Sequence, residues 1–518
     1  MSPSRPPTVI RSVLVANRGE IAVRLVRTLK ALGIRSVALY SEADDGSLPV
    51  ELADEASCIG PPPPSESYLR IDRILAAARH HAVDAVHPGY GFLSEREDFA
   101  RAVEAAGLVF LGPQPRQIAE LGDKLRAREL MRGLGVPPVP GSSKPLAKVE
   151  EARRVAESVG YPLMLKAAAG GGGKGIRVVS RSSELEPSFQ LASSEAENSF
   201  GSPLLFAERY LAGARHVEVQ VLGDGDGGVR LFPERDCSIQ RRLQKIVEES
   251  PSPAVSPGIR ERLLRAALAM VEATKYRGPG TLEFLLAPDE ALYFLEVNTR
   301  IQVEHPVTEL LCATDLVAEQ LRVAEGARYT ARGLEESFVE GKGSAVELRI
   351  NAEDPLSDFR PSVGTIESLR LPRGPDVRVD TALVEGIEIT PYYDPLVAKV
   401  IARGDDRQRA LARLDAALDE LIIAGVATTQ AVGRALLADP DFLAGRYHCQ
   451  FLGEKLRDPH FLLARPREEE LSAIAGALAL FHHGRRLRRG SPTTTTTGAA
   501  FSAWKSDVAT GCWELEGS

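Results

Sequence analysis

Leu163-Met164-Leu165-Lys166, followed by Ala169-Gly170-Gly171-Gly172-Gly173-Lys174-Gly175, sets the class of this protein. Four consecutive glycines between two β-type segments let a turn approach a ligand closely. They also aim successive backbone N–H groups at one point, an anion nest. Lys166 and Lys174 add positive charge at its borders. A flexible surface loop is the bland alternative, but Gly-rich linkers seldom carry lysine at both borders between two β runs. The pattern is not GxxxxGK[ST], so a P-loop is excluded.

Downstream, the segment 280–298 has the alternation of a β-hairpin. Glu296 and Asn298, two residues apart, face one side, and Glu283 on the partner strand can converge on them. Two carboxylates and an amide oxygen are hard donors suited to Mg²⁺, although pattern alone also admits a solvent-facing acidic pair. The next residues, Thr299-Arg300-Ile301-Gln302-Val303-Glu304-His305-Pro306, bring an arginine able to grip a planar oxyanion. Glu304 would serve as a base if its pKa were tuned. His305 precedes proline and reads as a structural hydrogen-bonder.

The rest of the chain fits an enzyme of ordinary globular composition. It has 518 residues, 44% hydrophobic and 26% charged, with net charge −8. No global positive field recruits nucleic acid or an anionic membrane. Five scattered cysteines form no CxxC pair, which fits a reducing compartment and argues against a zinc site or disulfide framework. With no apolar run of spanning length and no secretory signal, a cytoplasmic location is expected. From the N-terminus, strands at 13–16, 36–40, 85–87 and 108–111 alternate with helices at 21–32 and 71–80, the rhythm of a parallel sheet with right-handed crossovers. Pro137-Pro138-Val139-Pro140-Gly141 reads as a hinge. An α+β region covers 345–455, and beyond 458 the texture turns charged, then low-complexity.

Longer strings carry a resemblance. Asn17-Arg18-Gly19-Glu20-Ile21-Ala22, His87-Pro88-Gly89-Tyr90-Gly91-Phe92-Leu93-Ser94-Glu95, Glu234-Arg235-Asp236-Cys237-Ser238-Ile239-Gln240-Arg241-Arg242, the 298–306 segment and Arg349-Ile350-Asn351-Ala352-Glu353-Asp354-Pro355 resemble the signatures of the biotin carboxylase family, in its order, from about 13 to 455. The resemblance implies an α/β and α+β fold in four parts: a parallel-sheet N-terminal (pre-ATP-grasp) domain, 1–121; an ATP-grasp core, 122–342, with a mobile lid at about 139–211; a C-terminal α+β biotin carboxylase domain, 343–457; and a tail, 458–518. It implies carboxylation of biotin from ATP and bicarbonate through carboxyphosphate, with Mg²⁺ or Mn²⁺.

Carried over by position, the resemblance gives ATP to Lys124, Lys166, Gly172, Gly173, Glu208, Arg209, Leu211, His216, Glu283 and Glu296. It gives metal to Glu283 and Glu296, with Asn298 beside them. The bicarbonate and biotin site falls to Lys245, Arg300, Gln302, Val303 and Arg349. Glu304 matches the general base and Arg349 the residue that stabilises the biotin enolate. The expected partners are a biotin carboxyl carrier protein or domain, a second copy of the chain and a carboxyltransferase subunit.

Four positions depart from the family. Leu243 stands where many members have a histidine that contacts nucleotide, Arg209 where lysine is usual, Ala169 where a longer glycine run begins, and Ala31 where some relatives have a glutamate at the dimer contact. None of the four methionines is followed by lysine, so biotin is expected to arrive on another chain or on a longer form of this one. The tail, with Trp504 and Trp513, is similar to the start of the linking domain of acyl-CoA carboxylase α subunits. Two rival readings are another ATP-grasp ligase acting through an acyl phosphate, such as a carbamoyl-phosphate synthase half, and a scaffold without turnover. The Gln302–Pro306 string and the Arg349 segment speak against the first, and the filled catalytic positions against the second.

Overall fold

The computed structural model describes residues 9–168, 176–330 and 333–463. Gly172 and Gly173, expected at the phosphates, and both tryptophans of the tail lie outside them.

The N-terminal strands β1 (Ser12–Val15), β2 (Arg35–Tyr40), β3 (Glu55–Cys58), β4 (Ala85–His87) and β5 (Val109–Phe110) form one parallel sheet, ordered β3-β2-β1-β4-β5. The last strand is shorter than the sequence suggests. Helix α1 (Gly19–Ala31) starts two residues earlier than its apolar periodicity implies, because Gly19 and Glu20 already belong to its first turn. Strand order reverses between β1 and β4, and such a switch point opens a crevice at the strand ends. Here Asn17 Nδ2 donates to the carbonyl oxygens of Pro88 and Tyr90, both at 2.7 Å, tying two motifs together. Gly89 has φ +63°, and a Cβ there would come within 2.8 Å of Asn17 Nδ2, so only glycine fits that approach.

A separate three-stranded antiparallel sheet follows, β7-β6-β8, from β6 (Leu163–Ala167), β7 (Arg177–Val179) and β8 (Leu205–Arg209). Leu163, Leu165 and Ala167 point into its own small core with Leu205, Ala207 and Phe189. Period-two alternation therefore turns Met164 and Lys166 to the opposite face.

The largest sheet has nine strands. It begins with β9 (Arg215–Asp224), β10 (Val229–Leu231), β11 (Arg235–Arg241), β12 (Gln244–Ser250), β13 (Arg277–Leu286), β14 (Leu292–Asn298) and β15 (Ser344–Asn351), and ends with the strands Val377–Thr381 and Leu396–Gly404. Val217, Val219 and Val221 of β9 pack with Leu263, Ala267 and Met270 of the helix Pro257–Thr274. The other face of β9 presents His216, Glu218 and Gln220, all buried. Three two-stranded sheets lie within the C-terminal region, but its long strands join the large sheet rather than forming a second one. β12 pairs with β15, Val247 opposite Leu348, so the sheet runs on through both regions. Its far end packs on the helices Arg407–Glu420 and Gln430–Ala438, in a core that takes in Phe461.

Candidate functional site

A row of residues crosses the large sheet: Arg235 of β11, Glu218 of β9, Glu283 of β13 and Glu296 of β14 stand directly opposite one another in register. Three adjacent carboxylates on one face would repel, and the structure inserts a cation at each. Arg235, without exposed side-chain surface, donates from Nε to Glu218 at 2.6 Å. Lys245 Nζ lies 2.7 Å from Glu218, 3.0 Å from Glu283 and 2.6 Å from Glu304. Lys124 Nζ stands 2.9 Å from Glu296.

Between β13 and β14 the register slips after Glu283, leaving Leu295 as the extra residue of a β-bulge. Strict alternation puts Leu295 in the core with Val297. The bulge instead turns it, beside Glu296, into the neighbouring cavity. That cavity, about 260 Å³, gathers Lys124, Lys166, Glu208, Arg209, Leu211, His216, Glu283 and Glu296, eight of the residues expected at ATP. Leu243 lines it too. It sits in the two-residue turn joining β11 to β12, where Arg242 and Leu243 have φ +49° and +66°, the left-handed pair that tight hairpins use.

Glu208 is buried and held by Lys166 at 2.6 Å and Arg128 at 2.5 Å. Burial opposes its charge, but these two cations outweigh it and bring the carboxyl down to about 2. His216 Nε2 lies 3.0 Å from Glu283, while Gln240 Nε2 is 2.7 Å from the other ring nitrogen.

Glu283 joins this cavity to a second cluster. Asn298 Nδ2 donates to its Oε1 at 2.9 Å and Gln302 Nε2 at 3.3 Å. Asn298 thus turns its amide nitrogen to Glu283, and its oxygen accepts from Arg300 Nη2 at 3.1 Å. Arg300 also donates to Gln302 Oε1 at 2.9 Å and, from Nε, to Glu95 Oε2 at 2.9 Å. The N-terminal motif ending in Glu95 therefore reaches the site through one arginine. Glu283 and Glu296, opposed on one hairpin, are hard donors that suit Mg²⁺.

Glu304 precedes the helix His305–Cys312 and takes its N-cap position, where a negative charge is favoured. Its carboxylate does not cap the helix. Oε1 faces Lys245, and Oε2 accepts from Arg349 Nη2 at 2.9 Å. Burial disfavours the charge, but Lys245, Arg349 and Arg235 override it and hold the carboxyl well below its usual range. Arg349 Nε donates to Glu248 at 2.6 Å. Burial nonetheless pushes the Glu248 carboxyl up to about 7 against the pull of Arg349. His305, read as structural, is buried and pairs with the Gln302 carbonyl oxygen at 2.7 Å.

Sequence reasoning passed over Glu218, Glu248, Arg128 and Glu95 as site residues. Glu218 carried a signal, since it interrupts the apolar alternation of β9 between His216 and Gln220. Arg128 lies one helical turn beyond Lys124, on the same helix face.

Three family models match the chain: "Biotin carboxylase, N-terminal domain" over 9–118, "Carbamoyl-phosphate synthase L chain, ATP binding domain" over 123–332, and "Biotin carboxylase C-terminal domain" over 347–454. Biotin carboxylase 1 of Bacillus subtilis is 48% identical over 445 residues, 86% of this chain and 98% of that protein. The biotin carboxylase of Pseudomonas aeruginosa is 46% identical over 449 residues, 86% of this chain and 99% of its own length. Among solved structures, the biotin carboxylase domain dimer of Hydrogenobacter thermophilus 2-oxoglutarate carboxylase, in complex with MgADP, ADP and bicarbonate, superposes with a TM-score of 0.83. It is 44% identical, over 88% of this chain and 99% of that one.

Proposed function

The chain belongs to the biotin carboxylase family of ATP-dependent ligases, and we propose that it carboxylates biotin carried in trans, the first half-reaction of an acyl-CoA carboxylase of acetyl- or propionyl-CoA type. The observation that carries this reading is Glu304 lodged between Lys245 and Arg349, beside Arg300 and the nucleotide cavity.

Bicarbonate is a poor nucleophile until it loses its proton. Lys245, Arg300, Gln302 and Val303 hold the anion, and ionised Glu304 takes the proton. An anion bound there shares Lys245 with Glu304, which raises the carboxylate's proton affinity at the moment it is needed. Attack of the freed oxygen on the γ-phosphorus of ATP forms carboxyphosphate and expels ADP. Lys124 and Lys166 hold the phosphates, and the cavity walls around Leu211 and Leu243 take the base. Glu283 and Glu296 would hold Mg²⁺ (or Mn²⁺), which would spread the negative charge of the transferred group. Carboxyphosphate breaks to CO2 and phosphate, phosphate removes the ureido N–H proton, and Arg349 stabilises the enolate that captures CO2.

A carrier protein or domain would bring the biotin, and a carboxyltransferase subunit would choose the final acceptor. We further infer a homodimer acting in the cytoplasm. Among the described residues no helix is long and apolar enough to cross a membrane, and Cys58, Cys237, Cys312 and Cys449 are free thiols. ADP release that requires bicarbonate and rises with free biotin tests the reading. A ligase of carbamoyl-phosphate type would respond to ammonia instead of biotin.

A further inference from the structure

Lys399 lies on the strand Leu396–Gly404 with no exposed side-chain surface. Its ammonium donates to the carbonyl oxygen of Val303 at 2.9 Å, which belongs to the peptide that carries the Glu304 nitrogen. Glu20 of α1 stands 3.1 Å from the same ammonium and Asp380 3.7 Å. The preceding carbonyl, that of Gln302, is paired with the His305 ring. Two successive peptides before the base are therefore pinned by buried side chains. Burying an ammonium is expensive unless it is paired. A carbonyl needing only a donor would be served by a neutral side chain. Here a C-terminal strand places its ammonium on one backbone oxygen, and an N-terminal helix and the neighbouring strand bring carboxyl groups to that ammonium.

The geometry points to Lys399 as a positioning residue for bicarbonate activation: it fixes the 303–304 peptide, so that the Glu304 carboxylate and the Gln302 amide meet the anion in one arrangement. Lys399 touches neither substrate nor the reacting atoms. The inference rests on the assignment of Glu304 as base.

The test compares two variants of the full chain, Lys399→Met with Glu20→Gln and Lys399→Gln with Glu20→Gln. Both remove the Lys399 ammonium together with the Glu20 carboxyl group, and they differ in whether a donor remains. Steady-state ADP release is measured with free biotin, varying bicarbonate and ATP separately, beside Tm and the Glu304→Gln chain. The Met form is expected to lose about tenfold or more in kcat/KM for bicarbonate, since small misplacements of a reacting group are costly. Its KM for ATP should stay within about twofold, because the groups lining the nucleotide cavity are untouched. The Gln form should lose less than the Met form. Wild-type bicarbonate kinetics in the Met form, or equal losses toward ATP and bicarbonate, would overturn the proposal. If the Met form does not fold, Lys399→Leu with Glu20→Gln, which also lacks a donor, takes its place: a raised bicarbonate KM at unchanged ATP KM supports the role, and unchanged values for both refute it. Loss of turnover in Glu304→Gln beside an unaffected Met form would remove Lys399 while keeping the base. Full turnover in Glu304→Gln would remove both.

Discussion

Arg349 Nη2 lies 2.9 Å from Glu304 Oε2 while its Nε holds Glu248 at 2.6 Å. The residue proposed for the biotin enolate thus also sets the charge around Glu304, the proposed base. Arg349→Ala is expected to lower carboxybiotin formed per ADP released by about tenfold or more, as loss of a preorganised donor does. Glu304 would also lose one of its flanking cations, so its pKa rises and the acid limb of the bicarbonate-dependent rate moves to higher pH. Quantifying both products across pH checks this. Equal losses of the two products, with an unmoved limb, would make Arg349 a structural residue.

Leu243 faces the nucleotide cavity from a turn with φ +66°, and its side chain is half-exposed. Histidine tolerates left-handed backbone better than most residues. Leu243→His should therefore keep the turn and add one polar contact to ATP, tightening it by about 0.5–1.5 kcal/mol. Titration of the nucleotide by calorimetry reads this out. Unchanged or weaker affinity would mean that the cavity has been rebuilt around leucine.

Glu20 is buried, which pushes its carboxyl up to about 7 against the pull of Lys399. The folded protein then keeps a proton that the unfolded chain, with a carboxyl pKa of about 4.3, gives up. Stability from this source is full below the unfolded value, declines as pH rises, and is gone once pH passes the folded value. Wild-type Tm should fall between about pH 5 and about pH 7.5, and Glu20→Gln should flatten that part of the curve. An identical slope in the variant would show that Glu20 does not titrate there.

Much of the site was legible because its spacing is local. Glu283 and Glu296 oppose each other, as hairpin alternation requires, and the 298–306 segment runs from the hairpin directly to Glu304. Leu295 was misplaced because a bulge adds a residue without any mark in the alternation. Glu218 and Glu248 act through Lys245 and Arg349, partners far away in sequence, so neither reads as more than a buried acid on a strand. The continuity of the large sheet was hidden for the same reason. Val247 meets Leu348 across a separation that no turn signal bridges, and β12 would otherwise leave an unpaired edge.

The most direct test of the account is carboxybiotin formation by the purified chain from MgATP, labelled bicarbonate and free biotin, beside Glu304→Gln. The wild-type chain should form labelled carboxybiotin with bicarbonate-dependent ADP release. The variant should bind ATP normally and lose about two orders of magnitude or more of that turnover, the weight of a positioned base. Wild-type turnover in Glu304→Gln, or ADP release in the native chain that ignores bicarbonate and biotin, would contradict the account.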